Sequence, residues 1–236
     1  MSEGTLTHQQ IAKMIDISAV QAYHGERDIR ELVGYARDYG FGAVHVLPAW
    51  IPVAKALLQD MPGISLGSPV GFPSGGNHTA IKRAEAIQMV SDGVTELDMM
   101  INVGKLRSGD YTYVLEELRS VIVAVNVPAK VIIETHYLTD DEIRSACELC
   151  VEAGAQFVKT STGWAPSGAT LTNIALIADC VRDRIGIKAA GGIRDLDMLV
   201  KMYHYGVRRF GINLQSAVEI VRSVQRLPDG VVRIEP

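Results

Sequence analysis

Eight short runs rich in β-branched and other apolar residues recur along the chain, with helical patterns between them. They cover residues 14–18, 43–47, 65–71, 96–101, 130–135, 157–162, 187–190 and 209–213. Helical stretches over 78–92, 111–125 and 195–205 separate some of them, and Gly40, Gly93, Gly154, Gly186 and Gly206 stand where helices should stop before the next strand. Spread over 236 residues, eight units have about 30 residues each, enough for a strand, a helix and two loops. Such alternation demands a parallel sheet with helices outside, and eight units predict a closed (β/α)8 TIM barrel. A doubly wound open sheet fits the same alternation. With no linker or break in composition, residues 1–236 read as a single domain. The tail beyond Pro228 shows little pattern apart from Val231-Val232 and is expected to be peripheral.

Charge and composition remove several classes of function. The net charge of −4 gives no reason to expect nucleic-acid binding, which normally needs a basic surface. No apolar run approaches ~18 residues, so no membrane span is expected. Residues 1–10 lack a basic segment followed by an apolar one, so no signal peptide is expected. Three cysteines fit a reducing compartment. Cys147 and Cys150 have C-x-x-C spacing, but they fall in a predicted amphipathic helix that Thr139 should cap and Gly154 should end. With no second pair to complete a zinc site, they read as small core residues.

The chemistry is concentrated in two lysines. Lys159 ends an apolar run in Phe157-Val-Lys-Thr-Ser-Thr-Gly163, and Lys188 holds the matching place in Gly186-Ile-Lys-Ala-Ala-Gly-Gly192. Lysines are rare inside strands because an isolated ammonium is costly to desolvate. A lysine crowded by a second cation in a dry pocket releases its proton more easily and becomes a nucleophile. That is what imine formation with an aldehyde or ketone requires. Taken alone, each lysine also fits a solvated strand end or half of a salt bridge, and Asp98 fits the ion-pair partner of Lys188.

In a barrel of this kind, chemistry sits at the C-terminal ends of the strands. The polar residues expected there are Asp16, Ser18, His45, Asp98, Asn102, Glu134, Thr135, His136, Lys159, Thr160, Ser161, Thr162, Lys188 and Asn213. They come from separate strands and should converge on one mouth.

Lys159-Thr-Ser-Thr-Gly163, Ile187-Lys-Ala-Ala-Gly-Gly-Ile-Arg194, Glu96-Leu-Asp-Met-Met100 and Val131-Ile-Ile-Glu-Thr135 closely resemble the deoxyribose-phosphate aldolase family. The likeness extends through Val70-Gly-Phe-Pro73 and Arg107-Ser-Gly-Asp-Tyr111, and covers roughly residues 11 to 220 in the same order. The resemblance implies a class I aldolase that needs neither metal nor cofactor. Such an enzyme reversibly cleaves 2-deoxy-D-ribose 5-phosphate, a small phosphorylated sugar, to D-glyceraldehyde 3-phosphate and acetaldehyde. It further implies that Lys159 is the Schiff-base nucleophile, Lys188 the cation that lowers its pKa, and Asp98 the general acid/base working with a bound water. Ser18, Thr162, Gly163, Gly191, Gly192 and Asn213 complete the substrate-binding set, the glycines letting backbone approach a phosphate. On spacing alone, Gly191-Gly192 also fits a plain turn. A cytoplasmic place in deoxyribonucleoside breakdown and assembly into a dimer or tetramer are implied as well.

Three departures stand out. Asp16-Ile17-Ser18 replaces the family's usual Asp-His-Thr. His45 stands where the family carries a cysteine, bringing a group that can titrate near neutrality. Gly211-Ile-Asn-Leu-Gln215 replaces a glycine, a small residue and two serines. Weaker phosphate binding or a shifted acceptor is the expectation from the last change. A different phosphorylated carbonyl substrate, a silent sugar-phosphate sensor, and a metal site built from His45, His78, His136, Asp98 and Glu134 are the rival readings.

Overall fold

The computed structural model describes residues 4–234. Its strands are β1 (Gly4–Thr7), β2 (Ile15–Ala19), β3 (Ala43–Val46), β4 (Ser65–Val70), β5 (Glu96–Met100), β6 (Ala129–Ile132), β7 (Phe157–Lys159), β8 (Gly186–Ala190), β9 (Val207–Ile212) and β10 (Val231–Ile234). The helices are α1 (His8–Met14), α2 (Glu26–Tyr39), α3 (Ile51–Leu58), α4 (Thr79–Asp92), α5 (Val103–Arg107), α6 (Tyr111–Ile122), α7 (Asp140–Glu152), α8 (Leu171–Val181), α9 (Leu196–His204) and α10 (Leu214–Gln225). Strands β2 to β9 pair in parallel, in chain order, and β9 returns to β2 to close the barrel. The eight predicted runs are these eight strands, which removes the open-sheet alternative. Parallel strands covered on both faces read as nearly continuous apolar runs, which is why they stand out in the sequence.

Helices pack outside the barrel on apolar stripes. Ile29, Leu32, Val33 and Ala36 of α2 recur at helical spacing and are buried. Burying a side chain the size of Ile29 or Leu32 contributes about 1.5–3 kcal/mol. Thr139 starts α7 with a capping box, accepting from the Glu142 amide while Glu142 accepts from the Thr139 amide. Cys147 and Cys150 lie buried and unbridged on the inner face of this helix, and burial pushes both thiols up. They are core residues. No helix among the described residues is long and apolar enough to cross a membrane.

One expectation needs correction. Gly186 does not stop a helix: α8 ends at Val181, Arg182 takes the left-turning φ of 48°, and Gly186 opens β8. Its lack of a side chain serves packing instead, because a Cβ there would lie 2.4 Å from Cε1 of Phe157. The tail is peripheral, as expected, but it is not patternless. β10 pairs antiparallel with β1, from Gly4 beside Ile234 to Thr7 beside Val231, in a two-stranded ribbon outside the barrel.

Candidate active site

Alternate residues of a strand face the same side, so Glu96 and Asp98 of β5 both project inward. Lys130 stands opposite Asp98 on β6, and Lys159 stands opposite Lys188 across β7 and β8. Asp16 enters from β2 and Arg209 from β9. The floor of the barrel mouth is therefore a buried ionic network rather than hydrocarbon. Lys159 Nζ donates to Asp98 Oδ2 at 2.6 Å, and Lys188 Nζ donates to the same oxygen at 2.7 Å. Lys188 also lies 2.7 Å from Asp16 Oδ2. Arg209 binds Asp16 Oδ1 through Nε at 2.9 Å and Glu96 Oε1 through Nη2 at 2.9 Å, joining β2 to β5 across the barrel. Lys130 Nζ sits 2.7 Å from Glu96 Oε1 and 3.3 Å from Asp98 Oδ1.

The charges do not balance. Four cations (Lys130, Lys159, Lys188 and Arg209) face three carboxylates (Asp16, Glu96 and Asp98). A surplus buried cation is unfavourable, so one amine should give up its proton readily. Lys159 is that amine. Burial pushes its pKa down, Asp98 pulls it up, Lys188 pushes it down again, and the balance falls at about 8. Desolvation thus outweighs the repulsion from Lys188 that the resemblance puts first. Lys188 responds in the opposite sense: burial opposes its charge, but Asp16 and Asp98 together raise its pKa, so it keeps its proton. Burial alone would raise Asp98, yet Lys159, Lys188, His45 and Lys130 hold its carboxyl well below the usual range.

Above this floor opens a cavity of about 500 Å³, a size suited to a small ligand. Asp16, Ser18, His45, Asp98, Lys159, Thr162, Gly163, Lys188, Gly191, Gly192 and Asn213 all line it. All nine residues expected to act on or hold substrate are thus in one place. Gly163, Gly191 and Gly192 have φ of 82°, 83° and 85°, a backbone that favours glycine. Thr162 and Asn213 have structural partners as well. The Thr162 hydroxyl donates to Glu134 in a very short bond and accepts from the Trp164 amide at 2.9 Å. Asn213 caps α10, its Oδ1 accepting from the Ser216 amide at 3.0 Å.

The other polar residues expected at the mouth do not line the cavity. Thr160 ties β7 to β8 through both the carbonyl and the amide of Ala190. Asn102 caps α5, Glu134 secures Thr162, and Nδ1 of His136 lies 2.6 Å from Ser167 Oγ. Thr135 and Ser161 are buried away from it. His78 caps α4 and His136 pairs with Ser167, so the rival metal set does not come together as a whole, although His45 and Asp98 are neighbours. A different trio, Asp16, His45 and Glu96, comes within 4.8 Å. Its carboxylates are already bonded by Lys188, Arg209 and Lys130, which a dication would have to displace. Lys130, Arg209 and Glu96 were not singled out from the sequence. Their signal was a charge at an inward position of an otherwise apolar strand.

The fold and this lysine-carboxylate floor define a class of enzyme, and comparison with known proteins agrees. A model of the DeoC/LacD family aldolases matches residues 9–211. The chain belongs to that family and is an aldolase, a carbon–carbon lyase. A deoxyribose-phosphate aldolase of Rhizobium meliloti is 50% identical over 228 residues, 96% of this chain and 92% of that protein. One from Klebsiella pneumoniae is 46% identical over 94% of this chain and 91% of its own length. The solved structure described as a unique tetrameric structure of deoxyribose phosphate aldolase from Aeropyrum pernix superposes with a TM-score of 0.84 at 28% identity, covering 94% of this chain and 93% of that one.

Proposed function

We propose that the protein reversibly cleaves 2-deoxy-D-ribose 5-phosphate to D-glyceraldehyde 3-phosphate and acetaldehyde through an imine on Lys159. The observation that carries this reading is the Lys159–Asp98 contact of 2.6 Å on the cavity floor, with the lysine poised near pH 8. The neutral amine attacks the aldehyde carbon of the open-chain sugar, and water leaves as the iminium forms. Asp98, through a water, takes the proton of the C3 hydroxyl. The C2–C3 bond then breaks, its electron pair enters the iminium as an enamine, and glyceraldehyde 3-phosphate departs. Asp98 returns a proton to the enamine carbon, and water hydrolyses the acetaldehyde imine. Lys188 stays charged throughout and keeps Asp98 ionised until it takes the C3 hydroxyl proton. Ser18, Thr162, Gly163, Gly191, Gly192 and Asn213 form the walls that hold the sugar and its phosphate.

The relatives' names and the family motifs support this substrate. The altered segment at Gly211–Gln215 favours a second reading, a family member acting on another phosphorylated carbonyl compound, because Leu214 offers no side-chain donor and Asn213, whose Oδ1 caps α10, keeps only its Nδ2 to give. We take residues 1–236 as one catalytic domain, a homo-oligomer as the working assembly, and deoxyribonucleoside breakdown in the cytoplasm as the setting.

The deciding experiment is borohydride reduction with acetaldehyde or deoxyribose 5-phosphate, followed by mapping of the adduct. A reduced imine on Lys159, lost in Lys159→Ala, is expected. Turnover without an adduct there would overturn the mechanism. Faster turnover of another phosphorylated carbonyl compound than of deoxyribose 5-phosphate would establish the second reading.

A further inference from the structure

His45 lines the cavity, and the proposed reaction gives it no step. It is buried on β3 beside Asp98. Its Nε2 lies 3.3 Å from Asp98 Oδ1 and 3.5 Å from Glu96 Oε1, and neither ring nitrogen has an aligned hydrogen-bond partner. Asp98 Oδ1 likewise has none, whereas Oδ2 receives both Lys159 and Lys188. Two buried polar atoms without an aligned bond face each other, and Lys130 Nζ lies as close to Oδ1, at 3.3 Å. Leaving such a pair unmade is costly in a dry interior, and catalytic hydrogen bonds are often long before substrate binds and tighten afterwards.

The chain makes room for this ring. Gly67 is the cross-strand neighbour of His45. A Cβ at Gly67 would lie 2.3 Å from His45 Nε2 and 2.6 Å from both Cδ2 and Cε1, and these are its three nearest atoms. The ring therefore rests on the bare backbone of β4, with its far nitrogen directed toward β5.

We propose that His45 is a positioning residue for Asp98, and that Gly67 is its required seat. The inference rests on the reading of Lys159 as the imine-forming lysine. When Lys159 is drawn into an imine, its bond to Asp98 Oδ2 is released. His45, neutral and protonated on Nε2, then donates to Oδ1 and keeps the carboxylate aimed at the reacting carbon. The groups around the ring are Lys188, Asp16, Asp98, Glu96 and Lys130. Burial and then Lys188 push its pKa down, which keeps the ring neutral near pH 7.

The test is exchange of acetaldehyde methyl protons in deuterium oxide, run beside borohydride trapping. In exchange, acetaldehyde forms the Lys159 imine with loss of water. A methyl proton leaves to the base, its electrons form the enamine, and a solvent deuteron returns. For His45→Ala we expect trapping at Lys159 to be preserved and exchange to fall about tenfold, the loss of one hydrogen bond, with kcat reduced and KM little changed. His45→Gln, which carries an N–H near the position of Nε2, should recover most of the rate. Gly67→Ala should reproduce the His45→Ala loss by displacing the ring, and the double variant should lose no more than His45→Ala, since the clash is gone. Unchanged exchange in His45→Ala, no recovery by Gln, or additive losses at Gly67 and His45 would overturn the inference while trapping persists. Absence of trapping in the parent protein would instead overturn the reading of Lys159 and this inference with it.

Discussion

Lys159 and Lys188 are cross-strand neighbours whose ammonium nitrogens both bind Oδ2 of Asp98, at 2.6 and 2.7 Å. The two are unequal. Lys188 has a second carboxylate, Asp16, at 2.7 Å, while Lys159 has Asp98 alone and sits nearest the cavity, at 9% exposure. One lysine is a fixed charge and the other a proton donor that can be emptied.

Lys159→Met should lower kcat by at least about a thousandfold, since no other amine in the site is free to form the imine. The fold should be unharmed or slightly stabilised, because the variant removes the surplus buried cation and leaves Lys188 on Asp98. Steady-state assay and thermal melting together check this.

Lys188→Met should behave differently. Asp16 and Asp98 would each lose a cation, and breaking a buried pair in this way costs about 3–5 kcal/mol. The pKa of Lys159 should then rise, since it would gain sole hold of Asp98 Oδ2. Denaturant unfolding reads the first effect, and a shift of the rising limb of the pH–rate profile to higher pH reads the second.

For the parent protein, kcat/KM should rise with pH through a limb near 8, as Lys159 empties. The stability consequence has a definite sign. An unfolded lysine titrates near 10.4, so between about pH 8 and 10.4 the unfolded chain holds a proton on this residue that the native one has released. Unfolding free energy from this group therefore increases across that window. The difference between parent and Lys159→Met, measured at pH 7 and pH 10, isolates the term.

Gly42→Ala should destabilise the barrel by about 1–3 kcal/mol without touching the site chemistry. A Cβ there would lie 2.2 Å from the backbone oxygen of Lys13, which no side-chain rotation can relieve. A lower melting temperature with normal kcat at low temperature is the expected result.

The strands were legible because a buried parallel strand carries its own signature in consecutive apolar residues, as in Val44 or Ile132 with their neighbours. Lys159, Lys188 and Asp98 were legible because a charge in such a run is anomalous. Lys130, Arg209 and Glu96 carry the same anomaly, but they stand in the first half of their strands, away from the ends where barrel chemistry sits. The ribbon between Gly4–Thr7 and Val231–Ile234 was not legible. Of the four residues on each side only Val232 is buried, so neither strand shows a strong period, and their pairing joins distant parts of the sequence. The fate of Gly186 could not be foreseen either, since its reason is the Phe157 ring on another strand.

Arg209 carries a further consequence. Its guanidinium spans from β2 to β5, strands that are not neighbours, and Lys188 repeats the span one layer higher through Asp16 and Asp98. These are spokes across a wheel rather than links along its rim. A rim can fray one link at a time, but detaching any spoked strand strands a charge in the interior. The eight staves should therefore exchange their amide hydrogens as a single cooperative unit, and the catalytic floor should have no private, low-energy route to melting.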